Sequence, residues 1–136
     1  MSFPPLLSTT VLELWYIVAM HPLRATRKVL SDAETADLVQ RVSEIIISAA
    51  KPSALYLFGS ASEGKMTDQS DLDYLVVCPD ADSIKSGKSS LARLKPLAGI
   101  PVDLIWVTQD EFKEKRESGG VCFIAWNDGK LIYSHD

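Results

Sequence analysis

Leu38, Val39, Val42, Ile45, Ile46 and Ala49 recur at helical spacing, so residues Ser31 to Ala50 read as an amphipathic helix with one buried stripe. Ser31-Asp32 offers its cap, and Glu34 lies where a capping box wants an acid. Lys51-Pro52-Ser53 ends it. The pattern then switches. Ala54-Leu55-Tyr56-Leu57-Phe58 is short, apolar and partly aromatic, which predicts a buried strand stopped by Gly59-Ser60. Ala61 to Ser70 is small and polar around Gly64, a turn plus loop. Leu72 to Cys78 is a second strand, closed by Pro79. Asp80 to Leu97 is polar with scattered Leu and Ile, and predicts a loop and then a helix. Pro101 to Val107 gives a third strand. Thr108 caps a helix from Gln109 to about Glu117, with Asp110 and Glu111 in the first turn, where the helix dipole favours acids. Gly119-Gly120 separates it from a short helix over Val121 to Asn127. Asp128-Gly129 is a turn signal, and Leu131-Ile132-Tyr133 adds a small edge strand.

The amino-terminal part patterns differently. Met1 to Thr10 holds Pro4-Pro5 and small polar residues, a loose arm. Val11 to Met20 is apolar, follows a possible cap at Ser8-Thr9-Thr10 and breaks near Pro22. It predicts a packed helix or strand, or a surface that meets a partner. The order of elements indicates an α/β or α+β fold, helices packed around a small sheet. An arm and helical extension over residues 1–35 precedes a compact domain over 36–136. Strand directions do not follow from the pattern.

Composition narrows the function classes. With 136 residues, 46 % apolar and 24 % charged, the chain can bury a core without disulfides or a structural metal. Its net charge is −4, so its overall field does not draw in nucleic acid. A polyanion such as a nucleoside triphosphate would need a bound cation or a backbone nest to offset the repulsion. Cys78 and Cys122 do not have zinc-ligand spacing and read as reduced thiols. Val11 to Met20 contains Glu13 and is too short to span a bilayer. With no secretory signal evident, a cytoplasmic protein is expected.

The chemistry concentrates in two places. A buried strand ends in Gly59-Ser60, and eleven residues beyond Ser60 the sequence Asp71-Leu72-Asp73 opens the next strand. Side chains alternate along a strand, so Asp71 and Asp73 share a face while Leu72 points into the core. Two adjacent carboxylates repel, and a hard divalent cation with oxygen ligands relieves them. Gly59 has no Cβ to keep backbone from a phosphate, and Ser60 adds a hydroxyl and an N–H. Asp103 stands in an otherwise apolar strand and calls for a partner. If its strand lies beside the second, the three carboxylates form one cluster able to hold two metals. Each piece alone has a plain structural explanation: a turn, a solvated strand edge, a strand-end residue bonded to a loop. Their conjunction in this order is far more specific.

Leu55-Tyr56-Leu57-Phe58-Gly59-Ser60 followed by Ser70-Asp71-Leu72-Asp73-Tyr74-Leu75-Val76-Val77 resembles the signature of the minimal nucleotidyltransferases of the DNA polymerase β-like superfamily. Val102 to Thr108 with Glu111-Phe112, and Asp128 to Tyr133, resemble that family's third strand and closing turn and strand. The likeness runs from about Ala36 to Tyr133. It implies a nucleotidyltransferase fold, a small mixed sheet packed with helices, in which Gly59, Ser60, Ser70 and Lys65 bind the nucleotide. Asp71, Asp73 and Asp103 would ligate Mg²⁺ or Mn²⁺, and Asp103 would also help deprotonate the acceptor. The implied reaction moves a nucleoside monophosphate, AMP from ATP, to a hydroxyl of a partner protein or small molecule and releases pyrophosphate. Minimal members are often antitoxins, some of which adenylylate a helical partner toxin of the HEPN type.

One departure stands out. Glu63 occupies a position where relatives frequently carry arginine, which should weaken phosphate affinity unless Lys65 compensates. An alternative reading is therefore an inactive relative that masks a toxin; a third is an α/β domain whose aspartates hold a structural cation. A chain this short lacks a sizeable acceptor domain, which points to a helical partner protein, a homodimer or a diffusing acceptor. Nucleic acid is not expected beyond a tRNA-like or small acceptor. His21 and His135 show no catalytic partner. Lys85, Lys88, Arg93 and Lys95 read as a basic helix face, Trp15, Tyr16 and Trp126 as core, and Lys113, Lys115 and Arg116 as helix-surface pairs with Glu111, Glu114 and Glu117.

Overall fold

A computed structural model of the chain describes residues 29–67, 70–92 and 101–135. The expectations for Val11 to Met20, Trp15, Tyr16, His21, Arg93 and Lys95 lie outside these residues. The described elements are α1 (Asp32–Ala50), β1 (Ala54–Phe58), β2 (Leu72–Cys78), α2 (Ala81–Ser90), β3 (Val102–Thr108), α3 (Gln109–Lys115), α4 (Gly120–Asp128) and β4 (Lys130–Ser134).

Helix α1 begins as its sequence dictates. The Ser31 hydroxyl accepts the Glu34 N–H at 3.0 Å, and the Glu34 carboxylate accepts the Ser31 N–H at 2.9 Å. This reciprocal box satisfies two donors that a helix start leaves unpaired. The helix ends at Lys51, which turns left-handed (φ 48°) and donates its N–H to Ile47. Ahead of the helix, Val29 bridges to Thr67, and the Leu30 N–H reaches the Met66 carbonyl at 3.1 Å.

The four strands form one mixed sheet in the order β3-β2-β1-β4. β1 runs antiparallel to β2 and β4, and β2 runs parallel to β3. Strand alternation sorts the core into two layers. Leu55, Leu57, Leu72, Tyr74, Val76, Cys78 and Val102 face α1 and α2. Leu75, Val77 and Val107 face α3 and α4, where Phe112, Cys122 and Ala125 meet them. Tyr74 is fully buried beneath α1, and its hydroxyl pairs with Ser43 at 2.8 Å. Burial pushes its phenol up to about 12, with the Ser43 bond opposing the shift, so it stays protonated at neutral pH. Both cysteines are buried and unpaired.

Three expectations need correction. No loop precedes α2, because Asp80 accepts the Ser83 N–H at 2.8 Å and caps a helix that starts at once. That helix also packs closely: a Cβ on Gly87 would come within 2.7 Å of the Trp106 ring. α3 stops at Lys115, short of Glu117. Trp126 is 39 % exposed and is not a core residue. No helix among the described residues is long and apolar enough to cross a membrane.

Candidate active site

The sheet register gathers the sequence-predicted aspartates. Parallel pairing sets Asp73 directly opposite Asp103, with Leu72 N–H donating to the Pro101 carbonyl at 3.1 Å just before it. Antiparallel pairing sets Phe58 opposite Asp73, which brings the end of β1 and Gly59 to the same spot. Asp71 precedes β2 and has the parity of Asp73, so both belong to the face that carries Leu75 and Val77. The carboxylates thus stand at one end of the α3–α4 face. Asp71 and Asp103 are exposed, and Asp73 is half-buried.

Asp73 crowds the turn that follows β1. Gly59 has φ +81°, and a Cβ built on it would collide with Asp73 Oδ2. Glycine is required there twice, for the left-handed backbone and for the space. The turn itself is tied by the Ser62 hydroxyl donating to the Gly59 carbonyl at 2.8 Å. The N–H groups of Glu63 and Lys65 both reach the Ser60 carbonyl, at 3.2 and 3.0 Å. The Ser70 hydroxyl, by contrast, accepts the Thr67 N–H at 3.0 Å and lies 3.1 Å from the Thr67 hydroxyl, so it braces the loop that delivers Asp71.

The electrostatics are those of crowded acids. Burial raises the Asp73 pKa, and the charges of Asp103 and Asp71 and a side-chain hydrogen bond with Asp103 raise it further. Lys65 does not relieve them: its ammonium lies 3.5 Å from Glu63, and both side chains are exposed. Among the described residues no group of three or more His, Cys, Asp or Glu side chains is drawn together as a metal-ligand set. By chemistry the site nevertheless suits a hard cation. Its donors are all oxygens, Asp73 stands opposite Asp103 in the register, and the mutual repulsion of the acids is what a divalent ion would cancel.

An apolar groove of about 510 Å³ lies on the opposite face, between α1, Leu57, Ile132 and the turn at Ala61 and Gly64. The carboxylates stand at the strand ends, with Asp71 and Asp103 exposed. Spacing along the chain could not reveal the pairing of Asp73 with Asp103, because it depends on strand direction. It also misses Arg116, which the sequence suggests is paired with a glutamate. Its guanidinium instead sits over the Trp126 ring at 5.0 Å and the Phe112 ring at 6.0 Å. The spacing from Phe112 to Arg116 is a readable signal; the approach of Trp126 is not.

A comparison with curated proteins finds no match for the chain. The family model described as nucleotidyltransferase domain matches residues 39–131, which takes in every strand of the sheet except the end of β4 and all three aspartates. The chain therefore belongs to the nucleotidyltransferase domain family.

Proposed function

We propose that this domain transfers a nucleoside monophosphate, AMP from ATP, to a hydroxyl and releases pyrophosphate, with Asp71, Asp73 and Asp103 as its catalytic acids. The observation behind this reading is the register match of Asp73 with Asp103, flanked by Asp71 and closed on one side by Gly59. A triphosphate is excluded from such a cluster unless a cation intervenes, so the reading includes Mg²⁺ or Mn²⁺ held by the three carboxylates. Such an ion supplies charge neutralisation and polarises the phosphoryl oxygens. Gly59 and Ser60 offer backbone at close range to the phosphates. Asp103 is exposed beside Asp73, where an acceptor hydroxyl could reach it and give up its proton. The acceptor oxygen bonds to the α-phosphorus, the bond from that phosphorus to the β-phosphate oxygen breaks, and the electron pair leaves with pyrophosphate.

The exposure of Asp71 and Asp103 favours an acceptor brought by another molecule, a partner protein of the helical HEPN type or a small diffusing alcohol. The test incubates the chain with each labelled nucleoside triphosphate, Mg²⁺ and a candidate partner, then follows transferred label and pyrophosphate. Asp71→Asn and Asp73→Asn should each lower the rate by at least about a hundredfold with the fold intact, the scale on which one active-site electrostatic group acts. Absence of nucleotide binding at millimolar Mg²⁺ would sink the proposal. One observation favours a second reading, a toxin-masking module without turnover: Lys65 is engaged by Glu63. In that case nucleotide binds but no acceptor yields pyrophosphate, and Glu63→Arg does not change the partner's affinity.

A further inference from the structure

We infer that a second, separate site on this domain binds a small phosphate-bearing anion, in the cavity of about 210 Å³ walled by Tyr56, Gln109, Phe112, Lys113, Arg116 and His135. It lies on the same face of the sheet as the aspartates but at its other end. The aspartates adjoin the Phe58–Asp73 pair, whereas the cavity adjoins the Ala54–Val77 pair. Four residues of strand separate the two, about 13 Å at the usual rise.

The walls carry the argument. Lys113 and Arg116 both line the cavity, and no carboxylate from the described residues does. In a chain of net charge −4 that is an unusual local balance. Glu111 pairs with Lys115 at 2.9 Å, and no ion pair among the described residues involves Lys113 or Arg116. Arg116 is also partly desolvated. Its Nε is shut off from water with no hydrogen-bond partner, between the Phe112 and Trp126 rings. This guanidinium has no ion-pair partner among the described residues, and its terminal nitrogens are the donors left for an anion. Neutral donors surround it. Burial raises the Tyr56 phenol, with Arg116 opposing, so its hydroxyl remains a donor at neutral pH. Ser53 donates its hydroxyl to Gln109 Oε1 at 3.4 Å, which leaves the Gln109 amide nitrogen as a donor. Two cations with the Tyr56 hydroxyl at hand match a phosphate, which carries close to two negative charges, better than a carboxylate with one. The volume admits a phosphate on a small body and is well short of a whole nucleoside triphosphate, which sets this site apart from the proposed transfer site.

Titrate the full chain with inorganic phosphate at constant ionic strength and follow backbone amides by NMR. Shifts are expected at Ser53, Gln109, Ser134 and His135. Arg116→Gln should weaken binding at least tenfold. Lys113→Gln, an exposed change that leaves the fold alone, should weaken it at least threefold. Lys65→Gln should leave it unchanged. Shifts confined to Gly59–Lys65 would overturn the proposal, as would equal binding in the Lys113 and Arg116 variants. Acetate binding as tightly as phosphate would overturn the phosphate assignment.

Discussion

At Gly59 two demands meet in one residue, and they can be separated by experiment. Its left-handed φ disfavours any side chain by about 1–2 kcal/mol. A methyl group there would also fall on Asp73 Oδ2 and must displace the carboxylate. Gly64 shares the first demand (φ +71°) and not the second, since nothing lies within 4 Å of a Cβ built on it. Gly59→Ala and Gly64→Ala should therefore lose similar stability in thermal unfolding. Only Gly59→Ala should also lose nucleotide binding and transfer, by tenfold or more. Matching activity in the two variants would show that the Asp73 contact has no functional weight. The aspartate cluster itself is only partly legible in the sequence. Asp71 and Asp73 share a face because strand side chains alternate. Asp103 joins them only through a parallel β2–β3 pairing, which depends on a crossover that sequence pattern does not orient.

At the scale of elements, the ends of helices are the readable parts. Ser31 with Glu34 and Thr108 with Glu111 are local devices, and the Thr108 hydroxyl does accept the Glu111 N–H, at 3.1 Å. Asp80 caps α2 in the same way, yet Ala81–Ser90 has no clear apolar stripe and Gly87 in its middle, so local pattern favours a loop. Tertiary packing explains that glycine, through its closeness to Trp106. Two substitutions test this level. Lys51 closes α1 in a left-handed conformation that glycine adopts freely. Lys51→Gly should therefore stabilise the domain by about 0.5–1 kcal/mol in denaturant unfolding; a loss of stability would contradict the cap geometry. Gly129 joins α4 to β4, and a Cβ there would come within 2.5 Å of the Ala125 carbonyl and 2.7 Å of the Leu57 carbonyl. Backbone oxygens cannot swing aside as a side chain can. Gly129→Ala should cost about 1–3 kcal/mol, and an unchanged midpoint would mean that the α4–β4 corner is looser than described.

For the whole molecule, the decisive quantity is charge. A protein of net −4 that presents three aspartates at one sheet end should repel a triphosphate and welcome it only with a cation. The two conditions give opposite expectations for the same substitution. Without divalent ions, Asp73→Asn removes a repelling charge and should bind ATP more tightly than the parent chain. With millimolar Mg²⁺ it removes a proposed ligand and should bind more weakly. Thermal shift reads both cases, because a ligand that binds only the folded state stabilises it by about 2.7 kcal/mol at a hundredfold excess over its Kd. For a domain of this size that is roughly 10 °C in Tm. The parent chain should show such a shift with MgATP and little with ATP alone. Asp73→Asn should narrow the gap from both sides. A generic acidic surface would give the first half of this pattern and not the second, since neutralising any acid there would help ATP whether or not Mg²⁺ is present. Reversal of sign on adding the cation is therefore the property that separates a metal-bridged triphosphate site from three aspartates that merely share a sheet end.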